Sequence, residues 1–469
     1  MSDDIRLNPR ADDARDALEE GRLSRAFVAE VAAVLNCGDD EGVRALVSPL
    51  HPADVADLFA AIEVDARAPL ADALGELLNA DVIAELDDYV REDVLEALSP
   101  REVADVVTQL DTDDAVAVIE DLEADEQREV LRALTPEDRA DIEAALNYPD
   151  ESAGRLMQRD LVAVPETMSV QGVIDRIRAT TDPATDFWEI FVIDPAGLPA
   201  GTMRLSWLLT APPDLMVSDV MKREQTLIPV TMDQEEVALI FQKYALISAA
   251  VVDDAGKLVG VITVDDVVHI IQAEAGEDVL KLSGAGDGDI NEPVLTTYRT
   301  RSRWLVANLI TGLVSASVIG AFSASIEALV ALAALSPIVA SVGGNAGNQT
   351  MAVTVRALAT NQLTESNTRR TVAREIRVAL LNGITLAVLM GLGVALVFGN
   401  VALGLVIAAA MQFNILIAGL AGVMVPLTLD RLEADPAVAS SVFVTMITDS
   451  MGFFAFLGLA TLVGVQHLR

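Results

Sequence analysis

Apolar positions recur at helical spacing through the first 150 residues, with almost none of the alternation that strands show. A short Leu-polar-Pro pattern recurs with its proline at Pro52, Pro100 and Pro136. Ser99 and Thr135 precede two of these prolines and can cap a helix, and Glu102 completes a capping box with Ser99. Acidic residues in these first turns fit either the helix dipole or a metal site. The repeated helix starts predict a superhelical α-helical domain over residues 1–150.

The period changes between about residue 160 and residue 272, where short β-rich runs alternate with amphipathic helices. The predicted strands are Leu161–Val164, Ile190–Ile193, Gly201–Leu205, Leu227–Val230, Ala249–Val252 and Leu258–Thr263. Predicted helices at Val170–Ala179 and Gln234–Tyr244 follow the first strand of each set, so one βαββα order occurs twice within residues 151–273. Two such units pack their sheets together and leave a cleft that is often a ligand site.

A short charged helix is predicted from Glu274 to Ser283, and the glycine-rich stretch Gly284–Gly288 follows it. We interpret residues 274–302 as a connecting segment. Long uncharged runs begin after it, at Trp304–Phe322, Ala328–Val355, Val378–Val397, Val401–Leu427 and Ala437–Val465. About 20 apolar residues cross a hydrocarbon core that is about 30 Å thick. Residues 303–469 are therefore predicted to form five membrane spans.

The second run contains Pro337 and three glycines, Gly343, Gly344 and Gly347, which predict an interrupted helix. Irregular backbone at membrane depth is tolerated only where it lines a cavity or packs on protein. The alternative is a glycine-rich segment for helix packing. Asn345, Asn348 and Gln349 supply amide oxygens next to these glycines, and oxygen ligands are those that hard divalent cations take.

One carboxylate, Asp449, lies deep in the fifth predicted span, where no basic side chain is available to pair with it. An ionisable group at that depth costs about 2.5 kcal/mol or more on insertion scales, so it is expected to face a pore, a partner or an ion. A protonated buried acid is the alternative. In a two-fold dimer, two such carboxylates would face each other, and a divalent cation would relieve their repulsion.

Charge is distributed unevenly, because 64 acidic and only 24 basic side chains precede Arg303, which gives residues 1–302 a formal charge of −40. Such a surface repels nucleic acid and anionic lipid and attracts small cations, although the need for solubility explains it equally well. A single cysteine, Cys37, excludes internal disulfides, and three scattered histidines do not make a zinc site.

The arginines near the predicted spans give an orientation. A cytosolic N-terminus places nine of them inside and leaves only Arg469 outside, which satisfies the positive-inside rule. The nine are Arg299, Arg301, Arg303, Arg356, Arg369, Arg370, Arg374, Arg377 and Arg431. The N-terminal sequence lacks the basic start and apolar run of a secretory signal. We therefore expect a multi-pass protein of the cytoplasmic membrane with its C-terminus outside.

Several of these motifs together resemble the MgtE family of magnesium channels. The most specific are Pro337 followed by Gly343–Gln349, Asp435-Pro436-Ala437, Thr448-Asp449 and Glu151–Met157. The resemblance implies a helical N domain, a tandem pair of α/β CBS domains, a plug helix, a five-helix transmembrane domain and a homodimeric assembly. It also implies that Asp449, Asn345 and Gly344 bind largely hydrated Mg²⁺ in a pore.

Family members are inhibited by intracellular Mg²⁺ that bridges acidic residues of the cytosolic domains. Carried over by position, the regulatory ligands would be Asp105, Asp233, Glu235, Asp266, Glu274, Glu277, Asp278 and Asp435. Clustered carboxylates repel until a cation neutralises them, so bound Mg²⁺ can favour a closed state. This sequence departs from the family pattern at Ala245 and His269, where acids can occur, and at Arg101, which replaces an acid.

Some family members hold ATP in the CBS cleft, with an aspartate that binds the ribose. Trp207 stands at the matching place in this chain, so we expect ATP binding to be weak or absent. The sequence thus predicts a Mg²⁺-gated magnesium channel without enzymatic activity. A membrane-anchored sensor of metal or nucleotide, a coupled secondary transporter, and selectivity for Co²⁺ or Mn²⁺ remain as alternatives.

Overall fold

The computed structural model describes residues 17–19, 22–179, 187–285, 291–364, 366–432 and 434–464. Gly286–Gly288 of the predicted linker, Val465 at the end of the fifth predicted span and Arg469 lie outside the described residues. The chain divides into two compact units, Met1–Gln272 and Ala273–Arg469.

The first part of the first unit is helical, as predicted. Its helices are α1 (Arg25–Asn36), α2 (Asp40–Val47), α3 (Pro52–Ala61), α4 (Val64–Leu74), α5 (Ala80–Ala84), α6 (Asp88–Leu95), α7 (Pro100–Val107), α8 (Thr112–Glu120), α9 (Ala124–Ala133) and α10 (Pro136–Ala145). A small antiparallel pair, β1 (Leu18–Glu19) and β2 (Arg22–Leu23), precedes them. The predicted capping box is confirmed, because the Glu102 N–H donates to Ser99 Oγ at 3.3 Å and the Ser99 N–H donates to Glu102 Oε2 at 2.8 Å.

Two three-stranded sheets follow, and they confirm the predicted tandem pair. Each sheet pairs its first strand parallel and its third strand antiparallel to the middle one. The strands are β3 (Ala163–Pro165), β4 (Glu189–Ile193), β5 (Pro199–Arg204), β6 (Leu227–Pro229), β7 (Ser248–Val252) and β8 (Leu258–Thr263). The helices are α11 (Ala153–Leu156), α12 (Val170–Ala179), α13 (Leu205–Thr210), α14 (Val217–Val220), α15 (Gln234–Tyr244) and α16 (Val264–Ser283). Both sheets shift register at the end of the middle strand, where Asp194 and Asp253 each stabilise a turn.

The charged segment Glu274–Ser283 is not a separate helix, contrary to the sequence prediction. It forms the second half of α16, which runs without a break from Val264 to Ser283. Gly276 is the only helix-disfavouring residue there, and one interior glycine costs about 1 kcal/mol relative to alanine, which is too little to end a helix of this length. The last CBS helix therefore continues without a break through Glu274–Ser283, the first part of the connecting segment.

The second unit is a bundle of long helices. They are α17 (Val294–Ala321), α18 (Ser323–Ala328), α19 (Ala331–Ala359), α20 (Thr368–Phe398), α21 (Val401–Arg431) and α22 (Pro436–Val463). Among the described residues, α17, α20, α21 and Ser440–Val463 of α22 are long and apolar enough to cross a membrane. The remaining predicted span corresponds to α19, which has 29 residues but is rich in glycine and amide side chains.

The second predicted span is not interrupted, which corrects the sequence-based expectation. Helix α19 continues through Pro337 and the glycine run. The proline removes a single backbone donor, whereas the glycines allow unusually close contacts with α21 and α22. A Cβ at Gly347 would lie 2.7 Å from a methyl group of Val444, and one at Gly422 would lie 2.7 Å from the Gly347 carbonyl oxygen. Tertiary packing therefore holds the helix together where the local sequence favours a break.

Candidate functional site

A fully buried amide, Asn414 of α21, lies where α19 and α22 come together. Its Nδ2–H donates to the Val339 carbonyl oxygen at 2.9 Å, while its Oδ1 has no hydrogen-bond partner among the described residues. Glycines face it from both neighbouring helices, because a Cβ at Gly343 would lie 2.0 Å from Nδ2 and one at Gly452 would lie 2.7 Å from it. Asn414 was not predicted as a functional residue, because nothing in the sequence pattern distinguishes it, and only these contacts identify it.

Asp449 lies at the midpoint of the 28-residue helix α22 and is half-buried. None of the described residues donates a hydrogen bond to its carboxylate or forms an ion pair with it. The preceding residue, Thr448, is fully buried, and its hydroxyl donates to the Thr445 carbonyl oxygen at 3.0 Å. On the other side, the Ser450 hydroxyl lies 3.2 Å from that of Ser315 in α17. Asp449 is thus an unpaired carboxylate within an apolar helix.

The structure brings the predicted pore residue Gly344 close to this position. A Cβ on Gly344 would lie 3.9 Å from Thr448 Oγ1, so the glycine run of α19 passes beside the residue adjoining Asp449. Asn345, Asn348 and Gln349 point away from the interior of the unit and are exposed. The single chain therefore places one carboxylate next to a glycine-lined helix whose amide side chains extend outward.

A second group of charged residues joins the end of α16 to the start of α22. Lys281 Nζ lies 2.6 Å from Glu277 Oε1 and 3.3 Å from Asp435 Oδ2, while Asp435 Oδ1 accepts a 2.7 Å hydrogen bond from the Ala437 N–H. Burial and then the neighbouring Asp435 raise the pKa of Asp278. Burial opposes the charge on Lys281, but Glu277 and Asp435 raise the pKa of Lys281 overall.

These four residues, which we call the connecting-helix cluster, carry three carboxylates and one ammonium group. Lys281 therefore neutralises only part of the negative charge. Leu282 packs beside the cluster against Met351, Val355, Ala437 and Val444, which lie on α19 and α22. The three acids were predicted from the sequence, whereas Lys281 was not, although its spacing of four residues from Glu277 is a recognisable signal.

In the first unit, acidic residues of α8 lie near Asp266 at the start of α16. Burial, followed by the charge of Asp266, raises the pKa of Asp113 well above its usual range, and Asp113 Oδ1 has no partner among the described residues. Burial and then Asp111 raise the pKa of Asp114 to about 6. Burial also raises the pKa of Asp266 to about 6, although hydrogen bonding to Thr263 opposes the shift.

We call Asp113, Asp114 and Asp266 the interdomain acids, because Asp113 and Asp114 belong to the helical domain and lie near Asp266 of the CBS pair. Asp266 Oδ2 accepts hydrogen bonds from Thr263 Oγ1 at 2.7 Å and from Gln158 Nε2 at 3.2 Å. Arg155, within the segment Glu151–Met157, forms ion pairs with Glu120 of α8 and with Asp150. The same junction therefore contains both ion pairs and acids whose pKa values are raised.

The other predicted regulatory residues occupy separate positions. Asp105 is exposed on α7, and Asp233 caps α15 by accepting a 2.9 Å hydrogen bond from the Glu235 N–H. Glu274 lies partly buried in the middle of α16. Across the described ranges, no three histidine, cysteine, aspartate or glutamate side chains are arranged to hold a metal ion directly. The oxygen donors suit a hydrated Mg²⁺, which keeps several of its waters and needs few protein ligands.

The cleft between the two CBS units contains a cavity of about 110 Å³. Glu189 occupies one wall, accepting a 3.0 Å hydrogen bond from Ser248 Oγ and lying 3.5 Å from Arg204 Nε. The Arg204 guanidinium also lies 5.7 Å from the ring centre of Trp207. Typical small-molecule pockets have volumes of about 300–1,000 Å³, so this cleft is too small for a nucleotide in the conformation described.

Comparison with protein families matches three parts of the chain. Residues 336–459 match the MgtE model, described as a divalent cation transporter, residues 50–151 match the MgtE intracellular N domain, and residues 217–273 match the CBS domain. Together with the helical bundle, these matches define a membrane transporter of divalent cations with attached N and CBS domains.

Relatives match along nearly the whole chain. The magnesium transporter MgtE of Thermus thermophilus is 34% identical over 432 residues, which cover 91% of this chain and 96% of that protein. The magnesium transporter MgtE of Bacillus subtilis is 28% identical over 438 residues, which cover 93% and 97% of the two chains. The chain belongs to the MgtE family.

A solved structure of the cytosolic domain of the Mg²⁺ channel MgtE in complex with ATP is also similar to part of the chain. It is 29% identical, covers 52% of this chain and 99% of that chain, and has a TM-score of 0.48.

Proposed function

We propose that this protein admits Mg²⁺ to the cytoplasm across the cell membrane and that intracellular Mg²⁺ closes it. The observation that carries the proposal is the unpaired Asp449 at the midpoint of α22, beside the glycine run of α19. A carboxylate at that depth is stabilised when a cation occupies the adjoining space. Membership of a family of magnesium transporters identifies Mg²⁺ as the preferred candidate.

The chain's own residues suit passage of a hydrated ion. Gly344 leaves room beside Thr448, whereas a larger side chain there would narrow the space next to Asp449. Asn345 supplies an amide that can hydrogen-bond the waters of Mg²⁺ rather than displace them. Transport of this kind needs no covalent step, since the ion moves down its electrochemical gradient.

We propose that the working unit is a homodimer in the lipid bilayer. The exposed amides Asn345, Asn348 and Gln349 support this proposal, because polar side chains on a membrane helix need a partner or water. A two-fold axis near α19 would bring a second set of amides and a second Asp449 to the same pathway. The arginines near the helix ends favour a cytosolic N-terminus and a C-terminus outside.

Closure by intracellular Mg²⁺ is proposed to act through the acids already described. In the connecting-helix cluster, Lys281 offsets one of three negative charges, which leaves a site that a divalent cation can complete. The interdomain acids Asp113, Asp114 and Asp266 add a second place where a cation would relieve repulsion. Binding of Mg²⁺ favours whichever state brings these acids closest together.

Flux measured with the full-length protein in liposomes tests the proposal. Wild-type protein should carry Mg²⁺ to an internal dye, and raised Mg²⁺ on the side of the N-terminal domains should reduce the rate. A sensor that is merely anchored in the membrane would carry no flux. A rate that depends on an imposed proton or sodium gradient would instead identify a coupled transporter, and competition by Co²⁺ and Mn²⁺ would establish selectivity.

A further inference from the structure

Three arginines line a cavity of about 480 Å³ at the first turns of α20. Arg370, Arg374 and Arg377 surround it together with Asn367 and Thr371. The arginines are separated by four and three residues, so they lie on one face of the helix. Orientation in the membrane requires positive charge on one side, but it does not require three arginines on one helical face around a cavity.

The positive charge of this arginine face is largely unneutralised. Within the described ranges, only Arg374 forms an ion pair, with Glu375 at 2.8 Å, and its side chain remains 67% exposed. Asn367 stands at the N-cap of α20 without giving a side-chain hydrogen bond to the first turn. The first turn of a helix carries a partial positive charge, and Arg370 lies in that turn, so its guanidinium group adds to this charge unless an anion is present. The face therefore favours an anionic ligand.

The same face continues into an apolar surface. Leu381, Ile384 and Val388 follow Arg377 at spacings of four, three and four residues, with 66%, 51% and 53% of their surfaces exposed. Helix α20 is one of those long and apolar enough to cross a membrane. One helical stripe thus presents guanidinium groups at its start and exposed hydrocarbon beyond them, which is the charge and polarity pattern of a phospholipid.

We propose that the arginine face binds the phosphate headgroup of an anionic phospholipid, whose acyl chain lies along Leu381, Ile384 and Val388. Basic pockets between membrane helices recognise anionic headgroups through this combination of charge and position. The acidic first unit is the other abundant anion in the molecule, but a water-soluble acidic segment would make no use of the apolar stripe. The bound lipid would hold the start of α20 at the membrane surface.

Native mass spectrometry of the full-length protein in detergent tests this proposal. The protein is titrated with phosphatidylglycerol and, in parallel, with phosphatidylcholine of the same acyl chains. In a separate experiment, inorganic phosphate is added to the complex with phosphatidylglycerol. The variant R370Q/R377Q removes two charges and keeps the Arg374–Glu375 pair. The control R299Q/R303Q removes two charges from α17, outside the cavity.

Wild-type protein should bind phosphatidylglycerol more tightly than phosphatidylcholine, and R370Q/R377Q should weaken that binding by about tenfold or more. The control should change it by less than about twofold. A second variant, L381N/I384N, should weaken binding of phosphatidylglycerol, because it removes apolar contacts with the acyl chain. It should leave the binding of inorganic phosphate unchanged. Thermal unfolding in phosphatidylcholine checks that each variant is folded.

Three results would overturn the proposal. Equal losses in R370Q/R377Q and in the control would mean that net charge alone attracts the lipid. Displacement of phosphatidylglycerol by an equal concentration of inorganic phosphate would identify a site for free anions. A change in the dimer fraction of R370Q/R377Q, with lipid binding intact, would assign the face to a second copy of the chain.

Discussion

Lys281 and Asp435 are joined by an ion pair in which Nζ lies 3.3 Å from Oδ2, and this contact connects the end of α16 to the N-cap of α22. The same ammonium group contacts Glu277 at 2.6 Å. A resident lysine therefore stands among carboxylates for which a regulatory Mg²⁺ is proposed. The Lys281 ammonium group and a bound Mg²⁺ would have the same electrostatic effect, because each reduces the repulsion between acids on two helices.

Replacing Lys281 should make this contact depend on Mg²⁺. In K281Q the three carboxylates lose their cation, so amides of residues 277–283 should exchange hydrogen roughly fivefold faster in Mg²⁺-free buffer, equivalent to an ion pair of about 1 kcal/mol. Excess Mg²⁺ should restore most of the protection. K257Q removes a lysine outside the cluster and should have no effect on this segment. Identical exchange in K281Q and wild type would show that the pair does not hold the helix.

Neutralising the carboxylate of α22 should stop transport. D449A removes the carboxylate beside the glycine run of α19, and we expect Mg²⁺ uptake into liposomes to fall to the level of empty vesicles. D430N, which removes an exposed carboxylate at the end of α21, should retain uptake. Sustained flux in a folded D449A variant would falsify the assignment of Asp449 to the pathway.

Adding a methyl group at Gly343 should destabilise the helical bundle. The Cβ would lie 2.0 Å from Asn414 Nδ2, so the buried amide must move and its hydrogen bond to Val339 is lost. Overpacking of this kind costs about 1–3 kcal/mol, which should appear as a lower midpoint of thermal unfolding in detergent. G393A adds a methyl group to open space in α20 and should leave the midpoint unchanged. A wild-type midpoint in G343A would mean that the Asn414 contact is easily rearranged.

The raised pKa of Asp266, one of the interdomain acids, predicts that the stability of the protein depends on pH. The pKa of Asp266 is about 6 in the folded protein against an ordinary value of 3.8, so the native state binds more protons between these values. Stability should therefore fall as pH rises through this window, and the loss is complete above it. The free energy of unfolding is expected to fall by an amount on the order of 3 kcal/mol across this window.

The variant D266N tests this dependence. We expect D266N to unfold at a higher temperature than wild type at pH 7.5 without Mg²⁺. Its unfolding temperature should also change less between pH 5 and pH 7.5 than that of wild type does. D254N, which changes an exposed turn residue, should behave as wild type. An unfolding temperature for D266N below that of wild type at pH 7.5 would indicate that the Thr263 and Gln158 hydrogen bonds outweigh the charge repulsion.

Nucleotide affinity should be low in the CBS cleft. The cavity of about 110 Å³ is partly filled because Arg204 engages both Glu189 and Trp207. Isothermal titration of ATP should show a Kd in the millimolar range or no heat, and W207D should bind more tightly because it frees Arg204 and supplies a ribose acceptor. Micromolar binding by wild type would show that the cleft opens readily.

Features encoded over a few neighbouring residues could be predicted from the sequence. The capping box of Ser99 and Glu102 depends on a spacing of three residues, and the structure confirms it. The two βαββα units were recognisable because each strand and helix has its own period. Asp449 was recognisable as a candidate because an unpaired charge within an apolar run is costly wherever the run packs.

Features that depend on contacts between distant residues were not predictable in the same way. Pro337 and the glycines locally favour a break, and only Asn414 and Val444 on other helices show why α19 remains continuous. The partner of Asp435 lies on a different helix, so the ion pair with Lys281 has no signal in the spacing of residues. Asp113 and Asp114 look like ordinary first-turn acids until Asp266 is brought near them.

The continuity of α16 has a mechanical consequence. Its 20 residues form a rod about 30 Å long at a rise of 1.5 Å per residue. With no hinge between Val264 and Ser283, a tilt of about 10° at the first turn would swing the last turn through about 5 Å, roughly one helical pitch.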